Sequence, residues 1–524
     1  MKKKGIILAA FFATIMLSSL GASVFLKNTP TQSGNADITA TGTPADHFPD
    51  AQRIKFCGSG DAKSTPFVKE YRIPTECTNP LAIVADYDGN VWFAQTNTGK
   101  LAKFDPKAES FTEFDNKLWP KNGRSMIWGI DYSPDGSLWY TDESYDSIWR
   151  FSTQDQKYQR IAYPSEGDSL PQKLKVDGSQ IVINDFTGNK ITFLDPTQTN
   201  DNLRYLNLPS PVNGSVTGAF AIDNNKNVWY TNWLFQQGGV LVKFDQEGYR
   251  NSVANVDDKS LPSLDYIQVF QLPSELLTPN GMAISDGMIW LADTSSSAIF
   301  SFDPNTQQFT QYITSDPKLS TYGNSTGVIK SPISRPYWIE SNSDGNLVFN
   351  EQTANSIAVM NPKSESLVEY LIPSKNPSWS DCDVDSNCGL AQIFDFTIHG
   401  DKVWFTEWVE NNIGVVDTSV ALPFGIELDS KDISLSPGES KTMSFTISPQ
   451  QDLSGVSLIL SDPHTFLNLS SSVSVPFQLN SDAKPVDVTI SASDDAIPGK
   501  YKILLGAQIE DVSISKFVTV TILP

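Results

Sequence analysis

The sequence predicts an all-β chain, a seven-bladed β-propeller followed by an immunoglobulin-like β-sandwich. Three observations predict it. A strand centred on Trp or a branched apolar residue recurs at Trp92, Trp139, Val182, Trp229, Trp290, Val348 and Trp404. Most copies are entered through an Asp-Gly or Asn-rich turn, such as Asp88-Gly89-Asn90 and Asp344-Gly345, and that chemistry suits hairpins. After residue 423 the repeat stops, and a different alternation of apolar and polar residues begins. A repeat of roughly fifty residues holding four short strands is the sequence signature of a propeller.

In chain order, residues 1–26 come first. Lys2, Lys3 and Lys4 precede an uncharged run from Ile6 to Leu26. A basic start stays in the cytoplasm and sends the downstream chain outward. The run reads either as a cleaved signal peptide or as an N-terminal membrane anchor, being about 30 Å long as a helix. Both place the body outside the cytoplasm, and a membrane is a partner only if the segment is uncleaved. Residues 27–66, rich in Thr, Ser, Pro, Gly and Asp, read as a flexible stalk.

Residues 67–423 carry the repeats. The first strand of a unit opens at a proline corner, as in Pro80-Leu81 and Pro279-Asn280. The Trp strand is second. The third ends in Phe104-Asp105-Pro106, Phe302-Asp303-Pro304 or Met360-Asn361-Pro362. The fourth alternates around an aromatic, as in Phe111 to Phe114 and Leu367 to Tyr370. This fourth pattern also stands before the first Trp, at Val68 to Arg72, and is missing after the last. The N-terminal strand is therefore expected to complete the last blade, a 3+1 closure that removes an exposed edge. Residues 424–524 alternate without the repeat and read as the sandwich.

Composition bounds the partners. Lys and Arg number 38 against 60 Asp and Glu, a formal charge of -22. An acidic surface repels phosphate backbones, which argues against nucleic acid. Four cysteines, Cys57, Cys77, Cys382 and Cys388, permit two disulfides in an oxidising compartment. Proximity suggests Cys57 with Cys77 and Cys382 with Cys388, though four cysteines allow three pairings. The triplets at Asn213, Asn324 and Asn468 fit glycosylation sequons.

The candidate site is the mouth of the central channel. Three residues past each anchor stand Gln95, Asp142, Asp185, Asn232, Asp293, Glu351 and Glu407. Such oxygen ligands could hold Ca²⁺ or Mg²⁺, or each could cap its own turn. Asp142, Asp185 and Asp293 are the metal candidates, and Glu351 and Glu407 the catalytic ones. Trp128, Gln172, Trp233, Asn280, Tyr337, Phe394 and Trp408 would form an aromatic and neutral wall suited to a small molecule or a glycan; packing between blades is the competing reading. Two long insertions, 314–334 and 374–392, should overhang this mouth. The second holds Asp381, Asp383 and Asp385, spaced like the start of a calcium loop, but without its Gly and Glu. A disulfide-closed acidic turn is the alternative. His47, His399 and His464 are the only histidines, and none is placed as a base at the mouth.

The stretch Trp404-Phe405-Thr406-Glu407, with Asn411, Ile413 and Gly414, carries the motif Trp-Phe-Thr-Glu-x-x-x-Asn-x-Ile-Gly. This resembles the virginiamycin B lyase (streptogramin lyase) family over about residues 67–423. The resemblance implies a propeller and a Mg²⁺-dependent elimination that opens a cyclic depsipeptide. It implies two histidines opening the last two blades and a Glu just beyond the last Trp-Phe. Those positions hold Tyr337, Phe394 and, for the Glu, Glu407. The expectation is an exported cell-surface propeller that binds a small molecule, glycan or envelope protein at its mouth. The alternative is a metal-dependent lyase or lactonase acting on a cyclic ester.

Overall fold

A computed structural model describes residues 57–524 except 59, 122, 166–168, 200–203, 235–237, 254–262, 318–332, 378–388 and 463. The segment 1–26, most of the expected stalk, most of both insertions, and Cys382, Cys388, Asp381, Asp383 and Asp385 lie outside the described residues.

The chain is all-β and built largely from four-stranded antiparallel sheets, as a β-propeller is. It starts with β1 (Val68–Arg72). Next come β2–β5 (Pro80–Ala85, Val91–Gln95, Lys100–Asp105, Ser110–Phe114) and β6–β9 (Ile130–Tyr132, Ser137–Asp142, Ser147–Ser152, Lys157–Ala162). After them are β10–β13 (Pro171–Asp177, Gln180–Asp185, Lys190–Leu194, Tyr205–Pro209) and β14–β17 (Val216–Ile222, Asn227–Leu234, Gly238–Asp245, Ile267–Gln271). They lead to β18–β21 (Pro279–Ser285, Met288–Asp293, Ala298–Asp303, Gln308–Ile313), β22–β25 (Pro336–Ser341, Leu347–Glu351, Ser356–Asn361, Ser366–Leu371) and β26–β28 (Ile393–His399, Lys402–Glu407, Asn412–Asp417). Within each set the strands pair in chain order. The last set lacks a fourth strand, and β1 supplies it, pairing antiparallel with β28 from Val68↔Val416 to Arg72↔Asn412. The first strands β2, β6, β10, β14, β18, β22 and β26 each touch the next, and β26 returns to β2.

The repeated residues are explained by what each one touches. Asp86 and Asp223 open the hairpin into a Trp strand and accept the indole N–H of Trp92 at 2.9 Å and of Trp229 at 3.0 Å. The polar end of each indole is thereby satisfied while its rings fill the space between sheets. Thr406 donates to the Leu81 carbonyl at 2.7 Å, Thr141 to Gln172 and Thr231 to Pro279, both at 2.9 Å. Asn350 donates to the Ile393 carbonyl at 2.7 Å. Each bond crosses from one sheet to the first strand of the next. Asn411 has a left-handed backbone (φ 58°), and its side-chain oxygen accepts from the Thr78 N–H and hydroxyl, both at 2.7 Å. Gly414 is required because a Cβ there would stand 2.2 Å from the Phe405 ring. The motif is thus a set of instructions for docking sheet against sheet.

Residues 57–66 are not a free stalk. A disulfide joins Cys57 to Cys77, Gly58 donates to the Val409 carbonyl at 2.8 Å, and the Lys63 N–H donates to Glu70 at 2.7 Å. Polar composition suggested a stalk, but these contacts fold the stretch onto the closing sheet.

The last region has β29–β37 (Phe424–Leu428, Asp432–Leu435, Ser440–Pro449, Leu453–Ser461, Leu467–Ser470, Phe477–Leu479, Lys484–Ala492, Gly499–Gln508, Val512–Ile522). One sheet runs β29-β31-β35-β33. The other runs β34-β32-β36-β37, with β30 parallel to β37. Phe445, Ile447, Val486 and Val488 of the first share one core with Ile503, Leu505, Val518 and Val520 of the second. This second sheet does not end at the region's border. β37 also pairs with β25, from Ser366↔Lys516 to Tyr370↔Val512, so a nine-stranded sheet runs from one region into the other. Phe517 joins a core with Trp290, Phe349 and Leu367. Among the described residues no helix is long and apolar enough to cross a membrane.

Candidate ligand site at the channel mouth

Side chains alternate along a strand, so neighbours in sequence serve different places. The seven acceptor positions stand at or near the ends of the second strands, and all are buried. The acids among them are engaged close by. Asp142 accepts from the Trp149 indole at 2.8 Å, the Tyr145 N–H at 3.2 Å and the Ser125 hydroxyl. Asp185 accepts from the N–H groups of Leu170 at 2.7 Å and Gly188 at 2.9 Å. Asp293 accepts from the Thr278 N–H and the Ser296 hydroxyl, both at 2.8 Å. Glu351 accepts from Ser356 at 2.7 Å and Glu407 from Asn412 at 2.9 Å. Burial pushes Asp142, Asp293 and Glu351 above the usual carboxylate range. Burial, with the nearby charge of Glu70, pushes Glu407 well above it.

The residue after each acceptor belongs to a different set. Phe394 meets Trp408 at 5.3 Å, Trp128 at 5.7 Å and Tyr337 at 6.1 Å between ring centroids. Phe186 meets Trp233 at 5.8 Å. The expected wall residues Trp128, Tyr337, Phe394 and Trp408 therefore come together, although they start in three different sheets. Gln172, Asn280 and Trp233 are buried in three other sheets, apart from this set: Gln172 accepts from Asn184 at 3.1 Å, and Asn280 donates to Thr294 at 2.8 Å. Trp128 donates its indole N–H to Glu143 at 2.9 Å. Glu143 and Gln352 were not singled out from the sequence. Their signal was positional, one residue beyond Asp142 and Glu351, where alternation turns the side chain away from the acid's own partners. Gln352 is 1% exposed, and neither atom of its amide has a hydrogen-bond partner among the described residues. The same holds for Gln172 Nε2 and Asn280 Oδ1.

One ion pair reaches across the cycle of first strands. Lys173 of β10 pairs with Asp395 of β26 at 2.5 Å, joining sheets that are not neighbours in the ring. The ammonium lies 4.7 Å from the Trp338 ring centroid. The Ile83 N–H donates to Asp395 at 3.2 Å. Burial raises Asp395 to about 6 despite the opposing pull of Lys173. Lysines alternating at 173 and 175 in a first strand were the available signal.

No family model and no curated protein matches the chain. Solved structures do match. A streptogramin B lyase is 19% identical, with 67% of this chain and 96% of that one covered and a TM-score of 0.50. An inactive virginiamycin B lyase from Staphylococcus aureus with quinupristin is 18% identical, covering 68% and 99% with a TM-score of 0.50. The chain shares the streptogramin lyase fold. At such identity the likeness carries the fold alone.

Proposed function

We propose that this chain is an extracytoplasmic seven-bladed propeller with an immunoglobulin-like sandwich, and that it binds an uncharged small molecule or glycan at its channel mouth. The closed cycle of first strands supports the blade count. The Cys57–Cys77 disulfide supports an oxidising compartment. The observation that carries the binding reading is Gln352. A buried amide without hydrogen-bond partners among the described residues costs on the order of 1–3 kcal/mol, and Gln352 directly follows Glu351, which pairs with Pro336 at the start of the strand that carries Tyr337. Apolar walls with a few convergent polar groups are how proteins hold small ligands. The wall's aromatic crowding favours a compact ligand over a protein surface.

The lyase reading is the second choice, and the fold likeness favours it. Its residues do not fit. The positions of the family's histidines hold Tyr337 and Phe394, and burial pushes the Tyr337 phenol up, away from any role as a base. Among the described residues no three His, Cys, Asp or Glu side chains come together to hold a metal. The oxygens of Asp142, Asp185 and Asp293 are engaged by donors of their own turns and of the segments packed against them.

The test is ligand-induced stabilisation of the full chain, with quinupristin and a set of neutral oligosaccharides as probes. One of them should raise the melting temperature, and Gln352→Ala should abolish that rise while leaving the ligand-free protein folded. Stabilisation that survives both Gln352→Ala and Trp128→Ala would remove the mouth as the site. Conversion of quinupristin to a linear product, stopped by EDTA, would favour the lyase.

A further inference from the structure

One arrangement recurs in three sheets with a single chemical change. In the sheet β2–β5, Gln95 ends the second strand and its amide donates to Glu113 of the fourth strand at 2.7 Å. The register is Gln95↔Lys100 and Ala102↔Glu113. In the sheet β22–β25 the same register places Glu351 and Glu369, through Ser356 and Ala358. In the closing sheet it places Glu407 and Glu70, through Asn412 and Gly414. A glutamate thus stands twice where the first sheet has a glutamine.

The fourth-strand glutamates share a task. Each holds the connection that arrives from the preceding sheet. Glu113 accepts from the Thr75 hydroxyl at 2.5 Å. Glu369 accepts from the Ser315 N–H at 3.0 Å and from its hydroxyl. Glu70 accepts from the Ser374 N–H at 2.9 Å and hydroxyl at 2.6 Å, besides the Lys63 N–H. All three act as acceptors, so the group facing them must donate. Gln95 does so with its amide. A carboxylate cannot, whereas a carboxylic acid can. One oxygen of Glu351 and one of Glu407, Oε1 in each, is buried without a donor among the described residues.

We propose that the facing pairs Glu351–Glu369 and Glu407–Glu70 each hold one proton between their two carboxyls, Glu407 donating to Glu70, and that these two shared protons latch the ring at its closing sheet and the sheet before it. The groups facing Glu351 are the hydroxyls of Ser356, Thr314 and Ser334 and the carboxyl of Glu369. Glu407 faces Glu70, Glu410 and Asn412. The nearby Arg72 guanidinium donates to the Glu410 backbone carbonyl at 2.6 Å. Both glutamates have raised folded values. Their contribution is therefore complete below the unfolded glutamate value of about 4.3 and is lost as pH rises through the folded value. Above it, two carboxylates face each other in a dry interior. The chain tightens in acid, and β1, which carries Glu70, loosens first in alkali.

The test is melting of the full chain at about pH 5 and about pH 9, comparing wild type, Glu351→Gln, Glu407→Gln, the double variant and Gln95→Glu. The double variant should match wild type at the lower pH and melt at least about 2–4 °C above it at the higher. Gln95→Glu should add alkaline sensitivity. Parallel pH curves for all variants would overturn the latch. If the Gln variants do not fold, the infrared carbonyl stretch of the wild type decides. A protonated-carboxyl band should persist at neutral pH, where free carboxyls are ionised, and its absence would overturn the proposal.

Discussion

Two five-residue strand pairings hold this molecule together, and they differ in what they close. β1 pairs with β28 from Val68↔Val416 to Arg72↔Asn412, and β37 pairs with β25 from Tyr370↔Val512 to Ser366↔Lys516. The backbone chemistry is the same in both. The first completes a sheet that has three strands without it and joins the two ends of the ring. The second extends a sheet that is already complete. Hydrogen bonds alone therefore do not set the weight of a seam. The surrounding contacts do: the first adds a disulfide, Asn411 and the Glu70 clamp, while the second adds the Phe517 core and the Lys502–Glu365 ion pair.

Four measurements sharpen the contrast, from the largest effect down. Deleting residues 57–74 should abolish cooperative folding of the ring, seen as loss of a sharp thermal transition. A truncated chain that melted like the parent would mean the closing strand is dispensable. Phe517→Ala should cost about 3–5 kcal/mol in denaturant unfolding, because the ring fills a core shared by Trp290, Phe349 and Leu367. An effect no larger than a surface change would mean that the two regions merely abut. Cys57→Ser should cost about 2–4 kcal/mol, read as a lower midpoint in oxidising buffer and no change relative to the reduced parent. Equal loss in reducing buffer would assign the effect to packing of Cys57. Lys502→Met should cost about 1 kcal/mol or less, since its pair with Glu365 keeps contact with water at side-chain exposures of 12% and 22%. A larger loss would make the second seam electrostatic.

Periodicity carried much of the fold into view. The Trp anchors, the Asp-Gly turns and the displaced pattern at Val68 to Arg72 locate strands by rules that are local in sequence. The candidate site was legible only by halves. Trp128, Tyr337, Phe394 and Trp408 were named from their places in the repeat, and they do meet. Glu351 and Glu407 were named by the same logic, yet alternation turns them toward Ser356 and Asn412 within their own sheets. Gln352 and Glu143, one residue further, were passed over because a single residue step reverses the face of a strand. Glu-Tyr-x-Ile-Pro-Ser/Thr occurs at Glu70 to Thr75 and at Glu369 to Ser374. It marks the inter-sheet clamp and was readable, but only once its two ends were known to serve different sheets.

The sequence by itself determined an acidic, repeat-built, all-β chain whose N-terminal strand belongs with its last repeat. Those properties come from residue type and spacing, which act over a few residues. The tertiary structure alone decided which carboxyls face each other, that Lys173 reaches Asp395 across the ring, and that β37 joins β25. Lys173 and Asp395 are 222 residues apart in the chain. No local preference encodes such a meeting. It arises when the first strands close into a cycle and bring a largely buried carboxylate against the lysine of a distant sheet.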